Sequence, residues 1–415
     1  MSTAPSPDTP VMTPPIPLEE AQRRLLALAD PMRREHVDMT GAIGRYLAEP
    51  LLARRTQPAG HLSAMDGYAV TDGDLAGPWT IVGESAAGHP FTGTMARGDA
   101  VRISTGALLP CDAAAVIVQE DLTRSDDALA LTGSGPSPQD RHVRRLGSDF
   151  VTGKEVLPAG TRIGPAQIAL AVSAGHRHLP VFRAPEVAII DSGDELSSDP
   201  ENCATHQIPA SNGAMLEAMV AGLAVQTRRI GPVGDTLDAL LGAFDEAAHA
   251  DVIVTSGGAS VGDHDLIRPA LEAWGAKLDF WRIAIKPGKP LLVATRPRSQ
   301  RRQIIIGLPG NPVSALVTGY HFLLPLLRRL MGALDPAPMV VTTRLDGDLP
   351  ATGARREFLR GTWDGECVRA VRVQDSGALG ALAGSNVLID RPANGPETPS
   401  GANVRIYILQ NGGIA

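Results

Sequence analysis

Lysine is nearly absent from this chain. Of 38 basic residues only four are lysine, Lys154, Lys277, Lys286 and Lys289, and two of these fall within one four-residue stretch. Net charge is −7, so the broad basic footprint of a nucleic-acid binder is missing. Aromatics make up 4% of the residues, too few for a base-stacking platform. The three cysteines, Cys111, Cys203 and Cys367, are widely spaced, form no CxxC pair and frame no zinc or disulfide scaffold. A reducing compartment is the simplest expectation. No apolar run is long enough to span a bilayer. The first seventeen residues are rich in Pro, Ser and Thr and lack the basic start and apolar stretch of a signal peptide. They are expected to form a flexible tail (1–17) on a cytoplasmic protein.

Glycine and proline, by contrast, are abundant. The 44 Gly and 34 Pro make about 19% of the chain against a usual ~12%, which predicts many shaped loops. At roughly 100–200 residues per domain, 415 residues correspond to two to four domains. Residues 18–36 carry apolar positions three to four apart and predict a helix. Residues 55–141 hold short β-like pieces (YAV, WTIVG, AVRIS, AAVIVQE) between turn residues, the pattern of a small β domain. The helical run PAQIALAVSAG (165–175) returns to the earlier style, so residues 55–141 are expected to be inserted in a discontinuous domain of 18–54 plus 142–182. From 183 to 334 strands alternate with helices, which predicts a parallel sheet covered on both faces. Residues 335–415 alternate short strands with Gly, Pro and Asn turns and predict a small β-barrel.

In such parallel sheets ligands sit beyond the carboxyl ends of the strands. The Gly-rich loops here follow strands. DVIVTSGGASVGDHD (251–265) runs an apolar strand into Ser256, Gly257, Gly258 and Ser260, whose amides can surround an anion, with Asp265 following. It lacks the GK[ST] of a Walker A loop, and a plain strand–turn–helix link remains open. GLPGNPVSA (307–315) sets Pro309, Gly310, Asn311 and Pro312 at a helix start, with the amides of Val313, Ser314 and Ala315 expected to face a ligand. KPGKP (286–290) flanks a turn with Lys286 and Lys289, with Arg282 upstream; point-charge lysines suit a phosphate, although a solvated turn is the ordinary alternative. SGDEL places Glu195 at a strand end. Asp235 either serves a ligand or caps the following helix. SAMDGYAV and VRISTGALLP offer Asp66 and Thr105, which taken singly are β-turn residues.

SAMDGYAV, VRISTGALLP, SGDEL, SGGASVGDHD, KPGKP and GLPGNPVSA occur in this order. As an ordered set they resemble the molybdopterin molybdenumtransferase family (MoeA and the C-terminal domain of gephyrin), over about residues 18 to 410. The resemblance implies insertion of molybdenum from molybdate into the dithiolene of adenylylated molybdopterin, with release of AMP and a need for Mg²⁺. It implies an elongated dimer of four-domain subunits. The first domain is discontinuous, the second is inserted in it, the third is a three-layer α/β/α pterin-binding domain and the fourth is a small β-barrel. The site would be shared between subunits, with Asp66, Thr105 and Asp149 reaching it from the partner. Glu195, Asp235 and Asp265 match acidic positions used for Mg²⁺, substrate or chemistry, and Lys286 matches the lysine of the KPGKP loop. Arg360, Ser376 and Ser385 resemble the family's anion contacts in the barrel.

Two departures stand out. Arg282 replaces a frequent lysine, and Ala210 stands before Ser211-Asn212 where an acidic residue is common; the SGDEL corner gains Asp191 instead. The alternatives to turnover are a non-catalytic pterin-binding carrier or scaffold, against which the lack of an appended N-terminal enzyme domain weighs, and a tungstate-preferring paralogue. Expected protein partners are molybdopterin adenylyltransferase and molybdoenzyme-maturation proteins; nucleic acid and membrane are not expected.

Overall fold

The computed structural model describes residues 15–71, 75–257, 266–298 and 301–409. The chain divides into two compact units, one of Met1–Glu35, Gly44–Ala48 and Pro180–Ala415, the other of His36–Ile43 and Glu49–Leu179.

The second unit is built on a six-stranded sheet in the order Ala113–Val118, Gly67–Thr71, Asp99–Ile103, Trp79–Ser85, Ala128–Leu131, Leu122–Ser125. Period-2 alternation sorts its side chains. Tyr68, Val70, Ala100, Ala115 and Ile117 pack round Trp79 on one face, while Ala69, Val101, Ile103 and Val116 pack with Met95 on the other. The central strand begins at Gly67, where a Cβ would lie 2.1 Å from the Ile117 carbonyl oxygen, so the approach of the two backbones demands glycine. The strands expected from YAV, WTIVG, AVRIS and AAVIVQE are all present.

The first unit holds a six-stranded sheet in the order Gln226–Val233, Glu186–Ser192, Val252–Ser256, Arg302–Leu308, Leu292–Pro297, Lys277–Trp281. Both its faces are buried. Val187, Ile189, Val252, Val254, Ile304 and Ile306 face the helices Leu18–Ala27, Ser211–Val220 and Pro312–Thr318. Ala188, Ile190, Ile253 and Ile305 face Leu237–Glu246 and Ile267–Ala273. That is the three-layer α/β/α arrangement expected. A five-strand barrel follows: Arg356–Trp363, Cys367–Ala370, Val340–Leu345, Asn403–Ile408 and Val387–Arg391, closed by pairing of the last with the first. The two-residue strand Ile285–Lys286, which follows the sheet strand Lys277–Trp281, pairs in parallel with Arg356–Trp363 and links barrel to sheet.

Two expectations are corrected. The helix read over 18–36 stops at Ala27, because Asp30-Pro31 cannot continue it, and the chain re-enters as the strand Arg34–Asp38. The sheet is not wholly parallel: Leu292–Pro297 pairs antiparallel with both neighbours. Only four residues join it to Arg302–Leu308, far too few for a parallel crossover. The helix starting at Pro312 is continuous to Leu330 but contains a π-helical turn, Gly319–Leu323.

That turn carries His321, 1% exposed, with neither ring nitrogen hydrogen-bonded among the described residues. It sits among Tyr320, Phe358 and Tyr407, with ring centroids at 5.4, 4.2 and 4.8 Å. Burial, reinforced by the nearby Arg356 charge, pushes its pKa down to about 3. The unfolded chain therefore takes up a proton below the ordinary value of 6.5 while the native chain does not. Stability from this source falls as pH drops from about 6.5 towards 3, by up to about 1.4 kcal/mol per pH unit. His321→Phe is expected to flatten that part of the profile in denaturant melts between pH 7 and 4.5; an unchanged slope would exclude His321 as its source.

Candidate active site

The carboxyl ends of Glu186–Ser192 and Val252–Ser256 open onto a cleft of about 940 Å³ in the first unit. Its wall is assembled from the loops read as functional in the sequence. Asp191, Ser192 and Glu195 come from one strand end, Ser256 and Gly257 from the next, and Pro309, Gly310, Asn311 and Pro312 from the turn after Arg302–Leu308. Asp235 lines it from the loop before Leu237–Glu246, and Ser211 and Asn212 from the start of another helix. These loops converge because their strands are adjacent and parallel, so all end on the same edge.

Asp235 is not the helix cap. Thr236 takes that place, accepting from the Ala239 amide at 3.3 Å. Asp235 instead exchanges bonds with its neighbour across the loop: its carboxylate accepts from the Asp194 amide at 3.3 Å, and its own amide donates to Asp194 Oδ1 at 3.0 Å. This fixes the two loops while both carboxylates stay exposed, as does Glu195. Glu195 and Asp235 are the exposed carboxylates of the cleft lining that could hold a metal ion; Asp265, with Gly258 and Ser260, lies outside the described residues. Among the described residues no three His, Cys, Asp or Glu side chains gather closely enough to hold a metal by themselves.

The helix start at Pro312 is less open than expected. The Val313 amide donates to the Ser376 carbonyl at 3.1 Å and the Ala315 amide to the Asn311 carbonyl at 2.9 Å, so both are taken within the protein. In exchange the contact ties the cleft to the barrel: Asn311 Nδ2 donates to Ser376 Oγ at 3.1 Å, and Gly377 and Leu379 line the cleft. Beside them Arg360 is 1% exposed. Its Nη1 donates to the Ala378 carbonyl at 3.2 Å, and Nη2 has no partner among the described residues. Burial lowers its pKa, yet a guanidinium stays charged, leaving a desolvated cation with a spare donor. Ser385, just past the short helix Leu379–Ala383, donates from Oγ to the Ala381 carbonyl at 2.6 Å.

Lys286 is exposed, and its ammonium is 3.1 Å from Glu357, a pairing the sequence reading missed because Glu357 arrives from the barrel. Lys289 is exposed. Arg282 is buried and stacks 4.3 Å from the Trp281 ring centroid, with its backbone in the left-handed region at φ 72. Bonds from its amide to the Leu291 carbonyl and from the Ile16 amide to its carbonyl hold it there. None of these three lines the cleft.

Asp66, Thr105 and Asp149 belong to the other unit. Asp66 accepts from the Thr105 amide at 2.6 Å and from Thr105 Oγ1 at 3.0 Å. These two bonds hold its exposed carboxyl below the usual range, so it stays ionised. Asp149 is exposed.

Residues 16–175 match the MoeA N-terminal region (domain I and II), residues 188–329 a probable molybdopterin binding domain, and residues 342–409 the MoeA C-terminal region (domain IV). The molybdopterin molybdenumtransferase of Nostoc sp. is 35% identical over 389 residues, covering 90% of this chain and 88% of the relative. The chain belongs to the molybdopterin molybdenumtransferase family. A second member of the family, from Haemophilus influenzae, is 33% identical over 382 residues, covering 90% of this chain and 93% of its own. Two crystal structures of the Pyrococcus horikoshii moeA protein superpose along the chain. One has a TM-score of 0.79 at 27% identity, covering 96% of this chain and 100% of that one. The other has 0.82 at 24%, covering 95% and 100%, a likeness of fold.

The sequence reading gave Asp191 little weight, noting only an acidic corner. It is 2% exposed, and Gly213 exists because of it: a Cβ there would lie 2.1 Å from Asp191 Oδ2. Gly213→Ala is expected to displace that carboxylate and cost about 1–3 kcal/mol, read as a lowered denaturant midpoint. A midpoint equal to the parent's would mean the helix start shifts freely.

Proposed function

We propose that this chain inserts molybdenum from molybdate into the dithiolene of adenylylated molybdopterin and releases AMP. The observation that carries the reading is kinship over about 90% of the chain with molybdopterin molybdenumtransferases, in a fold whose strand-end cleft is lined by the SGDEL, SGG and PGNP loops. Water cleaves the phosphoanhydride bond to AMP, and two molybdate oxygens leave as water, with protons from the dithiol and from solvent, as the two dithiolene sulfurs bond to molybdenum. It needs one place for an oxyanion, one for a pyrophosphate and one for the pterin.

The buried guanidinium of Arg360, with its spare Nη2 donor and Ser376 close by, supports the oxyanion place. A pre-desolvated, oriented cation holds a tetrahedral oxyanion without reorganising. Lys286, oriented by Glu357, supplies a point charge for phosphate. The Gly257 amide already donates to the Leu308 carbonyl at 3.2 Å, so Gly310, with Gly258 and Ser260, supplies the proposed backbone donors to the phosphates. Glu195 and Asp235, with Asp265, are the proposed Mg²⁺ ligands; the ion would offset charge on the phosphate oxygens. Asp66, Thr105 and Asp149 are proposed to complete the cleft from a second copy of the chain. Support for that role is the exposed, ionised state of Asp66 and its oriented pairing with Thr105. The cytoplasm is the proposed setting, with molybdopterin adenylyltransferase upstream and maturation proteins of molybdoenzymes downstream.

Purified protein given adenylylated molybdopterin, molybdate and Mg²⁺ is expected to release AMP, to stop with EDTA and to resume when Mg²⁺ is restored. Absence of AMP at every molybdate concentration would refute the activity. Light scattering is expected to give twice the chain mass, and Asp66→Ala to cut turnover about 100-fold or more while leaving that mass and the melting curve unchanged. A fully active monomer would refute the shared site.

A further inference from the structure

Three polar atoms along the cleft lack partners among the described residues. Asp191 Oδ1, Asn212 Oδ1 and Ser192 Oγ each expose less than 1 Å², and all three residues line the cleft. The rest of each side chain is already committed or oriented. Asp191 Oδ2 takes the Arg229 guanidinium at 3.4 Å and the Gly213 amide. Asn212 Nδ2 donates to the Gly310 carbonyl at 2.6 Å, which fixes the amide so that its oxygen is the free end. Leaving a buried carboxylate oxygen unpaired is costly, by roughly 1–3 kcal/mol or more, and the neighbouring Arg229 contact is too long to offset it fully. Burial accordingly raises the Asp191 pKa. Two unpaired acceptors lining one cleft suit a ligand that presents two N–H donors.

We propose that Asp191 and Asn212 form the docking point for the 2-amino-4-oxopyrimidine edge of the pterin, accepting from its ring N–H and exocyclic amine. This rests on the transferase reading above. The pterin edge offers two donors beside a carbonyl, and the Ser192 hydroxyl complements that carbonyl. The adenine edge of the same substrate presents one donor and one acceptor, which would set a lone pair against a carboxylate. Charge agrees: a carboxylate repels the phosphates and favours the end of the substrate that has none. Ala210, at the position where the family resemblance leads one to expect an acid, lines the same cleft without a charge, so Asp191 is its buried carboxylate among the described residues.

Titration of the full-length protein with pterin and with lumazine, in which an oxygen replaces the 2-amino group, tests this by fluorescence. The wild-type protein is expected to prefer pterin by roughly 100-fold, since a site built for a donor rejects an analogue lacking it. Asp191→Asn and Asp191→Ser are expected to reduce that ratio to near unity and to raise KM for adenylylated molybdopterin while KM for molybdate stays at the parent value. Asp191→Asn keeps the side-chain shape, and its melting curve reports whether the fold survives. Equal or undetectable binding of the two pteridines by the wild-type protein, or an unchanged ratio in both variants, would overturn the proposal. AMP release by the wild-type protein, measured alongside, separates the outcomes: its absence defeats the transferase reading, whereas AMP release without pterin preference defeats this subsite alone.

Discussion

Burial of the α/β sheet on both faces is the constraint on which the rest depends. Val187 and Ile189 point into one core and Ala188 and Ile190 into the other, so neither face has room for a ligand. Polar chemistry is confined to the edge where the strands end. Four adjacent parallel strands end there together, which is why loops distant in sequence meet in one cleft.

Gathering those loops brings costs that the fold manages locally. Gly213 leaves space for a buried carboxylate. Asp194 and Asp235 cross-brace two loops through reciprocal amide bonds. The barrel takes part as well. Ser376 braces the PGNP turn, and Arg360 waits beside it with one donor unused. Asp191, Ser192 and Asn212 each bring a buried polar atom without a partner among the described residues to the cleft wall.

Much of the architecture was legible in advance. Alternation of strands and helices announced three layers, and turn-rich segments announced the β domain and barrel. What misled was local. The helix periodicity after residue 18 ran past a Pro it could not cross. The sheet was read as parallel throughout, whereas the antiparallel pairing of Leu292–Pro297 comes from a four-residue link that composition does not advertise. At the site, motif order pointed to Glu195, Asp235 and the PGNP turn, all of which line the cleft. It did not point to Glu357 beside Lys286, since that partner is 71 residues away.

The sequence by itself determined the family, because an ordered set of loop motifs is a one-dimensional property that survives without coordinates. It also determined which segments are strands, helices and glycine turns, since these follow from periodicity and backbone freedom. Only the tertiary structure decided which polar groups are left wanting. Whether Asp191 is a solvated acid or a buried one, and whether the Val313 amide is free or taken by Ser376, depends on what packs against it. Desolvation and hydrogen-bond satisfaction are set by neighbours in space, and the chain order does not name them.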